Sequence, residues 1–264
     1  MANKIYANKV IANKAEELLT SKVNSRSMMN VDTSMQESAG MEKMVNVYTY
    51  NGTAEVVTAG TGNTNRGQIS YSTISYPVKM IQQAFDYTDE DIMQDEGILD
   101  MMLKGASEVM VNKMNADFFT ALTRAGIAKT VWAKTEPLSY DLIVDTLAEM
   151  KYEDESKLFI LINPTQKAEI RKDADYKAAQ MGEVVYNGQV GTIAGLPVVA
   201  SNDCPEGTVY VLSNDAVTLF LKKDVEIEQT RDADTRTNSV YERACYVVAV
   251  TNKSYVKKLV RATA

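Results

Sequence analysis

Histidine is absent from all 264 residues. Its absence removes Ser-His-Asp and Cys-His catalysis and imidazole-based pH switching. With Cys204 and Cys245 as the only thiols, it also removes a four-ligand zinc centre. Two cysteines far apart in so long a chain fit a reducing compartment, and both read as ordinary, partly buried thiols. No run of about eighteen apolar residues occurs, so no membrane-spanning helix is expected. The opening MANKIYANKVIANKAEELL has no apolar signal-peptide core. The expectation is a protein made soluble in the cytoplasm, with no membrane partner. Basic charge is scarce too: 28 Lys and Arg stand against 35 Asp and Glu, a net charge of −7. That balance argues against sequence-independent nucleic-acid binding as the main task, which needs a basic patch, but it leaves room for a local basic segment. What remains is an ordinary folded composition, 45% hydrophobic and 24% charged, long enough for one large domain or two small ones.

Ala-Asn-Lys occurs three times at the start, at 2–4, 7–9 and 12–14, a spacing that matches no helical repeat. Residues 1–40 therefore read as an N-terminal arm, basic through Lys4, Lys9 and Lys14, with SRSMMNVDTSMQESAG as an extended linker. Such an arm is either a solvated tail or a segment that orders on a neighbouring subunit. From Met41 the pattern changes. MVNVYTY and GQISYSTISYPV alternate and are rich in β-branched and aromatic residues, so both read as strands. AGTGNTNRG, Ala59 to Gly67, lies between them as a long hairpin tip, with Asn51-Gly52 as a competing tight turn or bulge. Gly60, Gly62 and Gly67 do not make a phosphate loop, because no Lys-Ser or Lys-Thr follows and the next element is a strand, not a helix N-terminus. The hairpin is striped but poor in large apolar residues, so it is expected to project and to need a partner.

Residues 88–124 carry the clearest helical signal. Thr88 with Asp91 is a capping pair, and Asp89 and Glu90 suit the positive helix end. Ile92, Leu99, Leu103, Ala106, Met110, Met114, Phe118 and Leu122 form one apolar stripe, read as core and not as a cofactor pocket. Gly97 and Gly105 are places where this helix bends or breaks, and Gly126 is its stop. Ser139 caps a second helix, KLFILIN is a buried strand by its unbroken apolar run, and Asn163-Pro164 opens a third helix. DADYKAAQMGEVVYNGQ is polar and glycine-punctuated and reads as a surface loop. GTIAGLPVVASNDCPEGTVYVLS reads as strand, turn and strand with no chemistry in it. Gly195 permits a tight approach before Leu196, Pro197 marks a strand start or edge, and Pro205 and Gly207 turn the chain into the next strand. TVYVL, AVTLFL, VEIEQ and SVYERACYVVAVTNKSYVKKLV follow as further strands. The class is α+β, mostly antiparallel in the second half.

This order of parts resembles the major capsid proteins of tailed bacteriophages, the Hong Kong 97-like fold, from about Met41 to Val260. LFILINPTQKAEIRKDADY is similar to that family's strand, Asn-Pro turn and helix. VGTIAGLPVVASNDCPEGTVYVLSNDAVTLFLKKDVEIEQTRDADT is similar to its Gly-x-Pro-Val-Val strand and the strands after it. The resemblance implies an N-arm at 1–40, an extended E-loop hairpin at 41–87 and a peripheral (P) domain with a long spine helix at 88–134. It further implies an axial (A) domain at 135–235 and a return to the peripheral domain at 236–264. It implies a structural protein with no catalytic residue, cofactor or metal, which self-assembles into pentamers and hexamers of an icosahedral shell around double-stranded DNA. Other implied partners are a separate scaffolding protein, a portal and decoration proteins. The E-loop tip, with Gly60, Gly62, Asn63, Asn65 and Arg66, would contact a neighbouring subunit. Lys4, Lys9 and Lys14 would contact DNA or adjacent subunits from the inner surface. In the best-known member an E-loop lysine bonds covalently to a neighbour's asparagine. The tip here has Arg66 and no lysine, Lys43 and Lys79 lying near the base, so no covalent crosslink through the tip is expected.

Two other readings stand beside this one. An encapsulin-type nanocompartment shell shares the fold and encloses protein instead of DNA. A cytoplasmic α+β enzyme would have to draw on carboxylates such as Asp173, Asp175, Asp232 and Asp234, and no spacing ties these together.

Overall fold

The computed structural model describes residues 24–63, 66–95, 97–173 and 192–262. Lys4, Lys9, Lys14, Asn65, Asp175 and nearly all of the DADYKAAQMGEVVYNGQ segment lie outside the described residues.

Three sheets organise the described residues. Among them strand β2 (Glu42–Asn51) pairs only with β3 (Gln68–Pro77). Strands β1 (Asn30–Asp32), β10 (Val217–Asp232), β11 (Thr237–Val250) and β4 (Lys79–Thr88) form a second sheet in that order. The third runs β5 (Lys129–Trp132), β12 (Val256–Arg261), β9 (Thr208–Ser213), β6 (Leu158–Ile162), β8 (Leu196–Ala200), β7 (Thr192–Ile193). The helices are α1 (Asn24–Ser27), α2 (Asp89–Gln94), α3 (Ile98–Arg124), α4 (Tyr140–Met150) and α5 (Pro164–Lys172).

The apolar run of β6 is buried at every position because both of its faces are covered. Phe159 and Leu161 meet Tyr210 and Leu212 of β9 with Met114, Phe118 and Leu122 of α3. Leu158, Ile160 and Ile162 meet Leu138, Ile143 and Ile170 on the α4 and α5 side. Each fully buried side chain of this kind stabilises the fold by roughly 1.5–3 kcal/mol. The α3 stripe is in place, with Leu99, Leu103, Ala106, Met110, Met114, Phe118 and Leu122 all buried. The capping signals also act as read. Thr88 and Asp91 make a reciprocal box, Ser139 Oγ accepts from Leu142 N, and Asn163 Oδ1 accepts from Thr165 N at 3.0 Å.

The helix from Thr88 does break at Gly97, one of the two expected places: Asp95 Oδ1 takes the Gly97 N–H at 2.8 Å and a new helix starts. Gly126, at φ +62°, follows its end as read. Other expectations are corrected. Gly105 stays helical within α3. AVTLFL and VEIEQ are one strand, β10, whose polar middle is absorbed by register shifts between Leu221 and Glu226. The last long strand is two, β11 and β12, separated by a turn at Lys253–Tyr255. Residues 25–40 are no free linker: Met28, Met29 and Met35 are buried, and β1 lies parallel to β10. Their apolar side chains follow no period, so nothing local marked them for the core. Strand β10 pairs along β11, and β12 lies beside β9.

The Gly191–Ser213 stretch is architecture where it is described. Ala194 and Gly195, at φ +51° and +80°, form the two-residue turn between Ile193 and Leu196, a left-handed pair that suits a tight hairpin. Pro197 is followed by the ladder to β6, which begins at Val198. Pro205 O accepts from Thr208 N at 3.1 Å, and Gly207 O accepts from Arg261 N at 2.8 Å. Gly207 has φ +72°, and a Cβ there would meet Arg261 Cβ at 3.3 Å, so a side chain there is strained by the backbone and crowded by its neighbour.

Candidate subunit interface

The β2–β3 hairpin runs through ten consecutive register pairs, from Glu42 opposite Pro77 to Asn51 opposite Gln68. The turn is therefore the long one, and Asn51-Gly52 makes no tight turn of its own. Directly paired residues point to the same face. One face carries Met44, Asn46, Tyr48 and Tyr50 with Ser75, Thr73, Tyr71 and Ile69. Met44, Tyr48, Tyr50, Ile69 and Tyr71 are each about two-thirds exposed or more. The facing pair Tyr48 and Tyr71 have ring centroids 6.2 Å apart. The hydroxyl end of Tyr50 occupies the place a Cβ on Gly52 or Gly67 would take, so the aromatic strip continues over the backbone at the tip.

The opposite face is anchored only near its base. Val45 and Tyr76 pack against Met35, Val78, Phe220 and Cys245, and Tyr76 stacks on Phe220 with centroids 5.7 Å apart. Lys43 Nζ lies 3.2 Å from Asp32 and 5.5 Å from the centre of the Phe220 ring. Burial raises the Asp32 carboxyl, but hydrogen bonds from Ser34 and the Lys43 ammonium outweigh it and hold it below the usual carboxylate range. Beside this anchor a cavity of about 390 Å³ opens between Ile74 and Tyr76 of β3, Asp117 and Arg124 of α3, and Tyr246. Tyr246 donates to Asp117 Oδ2 at 3.1 Å, and burial pushes its phenol up.

At the tip, Gly60 has φ +91°, and the Thr61 N–H and hydroxyl both donate to Thr58 O, at 3.0 and 2.7 Å. Gly62, Asn63 and Arg66 are exposed, and Arg66 makes no ion pair among the described residues. The structure thus brings Gly60, Gly62, Asn63 and Arg66 to one projecting end. Gly195, Leu196, Pro197, Pro205 and Gly207 lie apart from it, in strand β8 and in the turns that join strands of the third sheet. The aromatic strip is what sequence reasoning missed; the alternation of Tyr48, Tyr50, Tyr71 and Ile69 was its signal.

Of the carboxylates weighed for acid–base work, Asp173, Asp232 and Asp234 are among the described residues, and Asp173 stands at the end of a different element from the other two. Asp173 Oδ2 accepts from Tyr140 N at 2.7 Å, while Asp232 ends β10 and Asp234 lies in the turn to β11, Asp232 Oδ1 accepting from Asp234 N. Among the described residues no group of three or more Cys, Asp or Glu is placed to hold a metal ion, and no helix is long and apolar enough to cross a membrane. Both thiols are free and buried, and burial pushes Cys204 up to about 12.

Comparison with known proteins gives the following. The sequence profile of a family described as phage capsid protein matches residues 71–259. The major capsid protein of Staphylococcus phage phiMR11 is 25% identical over 257 residues, covering 96% of this chain and 92% of that one. Among solved structures, the capsid of the cyanophage P-SCSP1u superposes with a TM-score of 0.69 at 14% identity, covering 90% of this chain and 87% of that one. A virus-like particle from Pyrococcus furiosus superposes with a TM-score of 0.65 at 12% identity, covering 95% and 98%.

Proposed function

The chain belongs to the phage capsid protein family and has the Hong Kong 97-like fold, and from that premise we propose how it builds a shell. It is a structural protein, a major capsid protein. Its subunits associate into pentamers and hexamers of an icosahedral shell that encloses double-stranded DNA, and the β2–β3 hairpin is the element that reaches from one subunit onto the next. The observation that carries this is the exposed strip of Met44, Tyr48, Tyr50, Ile69 and Tyr71 on a hairpin anchored only at its base. Two strands alone are marginal in water, and an exposed aromatic patch on a projecting element fits an interface. Head-to-tail association of such copies closes into rings. Arg66 at the tip pairs with acidic groups or carbonyls of the neighbour, and the Lys4, Lys9 and Lys14 arm meets DNA or adjacent subunits. The protein performs no catalysis. Assembly takes place in the bacterial host cytoplasm, with a separate scaffolding protein, a portal and decoration proteins as partners. The division that goes with this reading is an N-arm at 1–40, an E-loop at 41–87, a peripheral part at 88–134 and 236–264, and an axial part at 135–235.

The test is a double replacement, Tyr48→Ser with Tyr71→Ser. Wild type should sediment as megadalton particles with shells visible by negative-stain microscopy. The variant should keep its far-UV spectrum and remain as small species. Normal shell yield from the variant removes the hairpin from the interface. Particles that contain protein cargo and no nucleic acid would favour a nanocompartment shell.

A further inference from the structure

Glu242 lies on the face of β11 that meets α3. It is 0% exposed, and among the described residues neither of its carboxyl oxygens has a hydrogen-bond partner. Its ladder neighbours are Ile227 of β10 and Gln83 of β4, and the Gln83 amide donates to Ala84 O at 3.3 Å. On α3, Ser107 is equally buried, and its hydroxyl is equally unpartnered among the described residues.

The two groups share a level in the fold. Along α3, an apolar cluster holding Leu99 and Leu103 gives way to one holding Met110 and Met114. Along β11, the same change falls between Val240 and Ala244. Ser107 and Glu242 occupy that changeover on helix and strand respectively. Two weak points flank it. Gly105, two residues before Ser107 and on the exposed side of α3, is a weak helix former in the middle of that helix. The β10 register shifts end at Glu226, next to the residue opposite Glu242.

Among the described residues no charge compensates the buried acid. On β10, Asp224 pairs with Arg26 of α1 at 3.0 Å, Glu226 with Lys223, and Glu228 with Arg243 of β11 at 2.8 Å. Lys104 of α3 and Asp86 of β4 are exposed, Glu108 of α3 has a partner of its own, and the Tyr246 phenol donates to Asp117. Burial by itself lifts the Glu242 carboxyl from 4.5 to about 7, since an apolar surrounding disfavours the charged form.

We propose that Glu242 and Ser107 form a proton-operated seam inside the subunit. With Glu242 protonated, α3 packs on the sheet as described; loss of its proton to solvent admits water between helix and sheet beside the β10 bulges, α3 yielding at Gly105.

The direction follows from linkage. An acid raised in the closed state stays protonated there at pH values where the opened state has already lost its proton. Opening therefore becomes easier as pH rises, by about tenfold per pH unit from 4.5 to about 7, and levels off above. Hydrogen–deuterium exchange of the full chain tests this, read at the amides around Ser107 and Glu242 and corrected for the intrinsic pH dependence of exchange. Wild-type protection should fall about fifty-fold between about pH 5 and about pH 7.5. Glu242→Gln, which keeps the shape and has no proton to lose, should hold its protection constant. A flat wild-type profile, or matching profiles for the two proteins, overturns the proposal. If Glu242→Gln does not fold, infrared spectra of the wild type decide: a neutral carboxyl band that disappears near pH 7 supports the seam, and no neutral carboxyl at about pH 6 overturns it.

Discussion

Strand β6 and the β2–β3 hairpin are both well-paired β structure, and they differ in what covers them. Every residue of Leu158–Ile162 is buried, because α3 closes one face and α4 with α5 closes the other. The hairpin has ten register pairs, yet Tyr48, Tyr50, Ile69 and Tyr71 remain open to solvent. Backbone pairing alone therefore does not decide where a strand's stability comes from. For β6 the apolar surface is spent on the chain's own core. For the hairpin only Val45 and Tyr76 at the base are used that way, and the aromatic strip stays exposed. Substitutions in the first region should change the free chain; substitutions in the second should change assembly alone.

The largest effect on the free chain is expected at Ile160, which is 0% exposed. Ile160→Ala leaves a cavity between β6 and the α4 and α5 layer and should cost about 2–5 kcal/mol, read as a lower urea midpoint of the unassembled protein. A loss below about 1 kcal/mol would break the contrast, because burial of β6 would then not be what holds it. Next comes Glu169 of α5, beside the same layer. Its carboxylate accepts from Leu138 N at 2.9 Å and pairs with Arg261. Burial pushes this carboxyl up, but hydrogen bonds from Arg261 and Leu138 and the Arg261 charge hold it below its ordinary value. An acid depressed in the folded state stabilises above its unfolded value, and that stabilisation is lost as pH falls through the folded one. Glu169→Gln should therefore cost about 1–2 kcal/mol near neutral pH and flatten the loss of stability on acidification. Parallel acid profiles for the two proteins would remove Glu169 from the account.

Much of the buried region was legible because its signals are local. Thr88 with Asp91, Ser139, Asn163-Pro164, the α3 stripe and the unbroken LFILI run each place cause and effect within a few residues. The hairpin was legible as a projection for the same reason, its alternation and its lack of large aliphatic residues being local facts. What was hidden depends on distant partners. Met28, Met29 and Met35 are core because β10 and α3 lie beside them. Gly97 breaks the helix and Gly105 does not, because the side chain of Asp95 captures the chain at the first and α3 is held by its stripe at the second. Glu242 alternates with apolar residues on β11, as a solvated charge never would on a core face, but only the packing of α3 shows that this face is closed. The aromatic strip needed the register, since Tyr48 and Tyr71 become neighbours only once the long turn is chosen over Asn51-Gly52.

The smallest effect on the free chain, and the sharpest test of the contrast, belongs to Arg66. It is exposed at the hairpin tip and makes no ion pair among the described residues, so Arg66→Glu removes nothing that holds the subunit together. The unassembled chain should unfold within about 0.5 kcal/mol of wild type. Its charge still matters if the tip meets carboxylates or carbonyl oxygens of another copy: there the planar guanidinium donates a fork of hydrogen bonds, and a carboxylate in its place repels. Shell yield of the Glu variant should fall sharply, and Arg66→Lys, which keeps the charge and loses the fork, should fall between the two. If all three chains assemble alike, the tip is not an electrostatic contact, and the aromatic strip behind it carries the interface without help. If instead the Glu variant unfolds early as a free chain, the hairpin is held from within, and its difference from β6 is one of degree only.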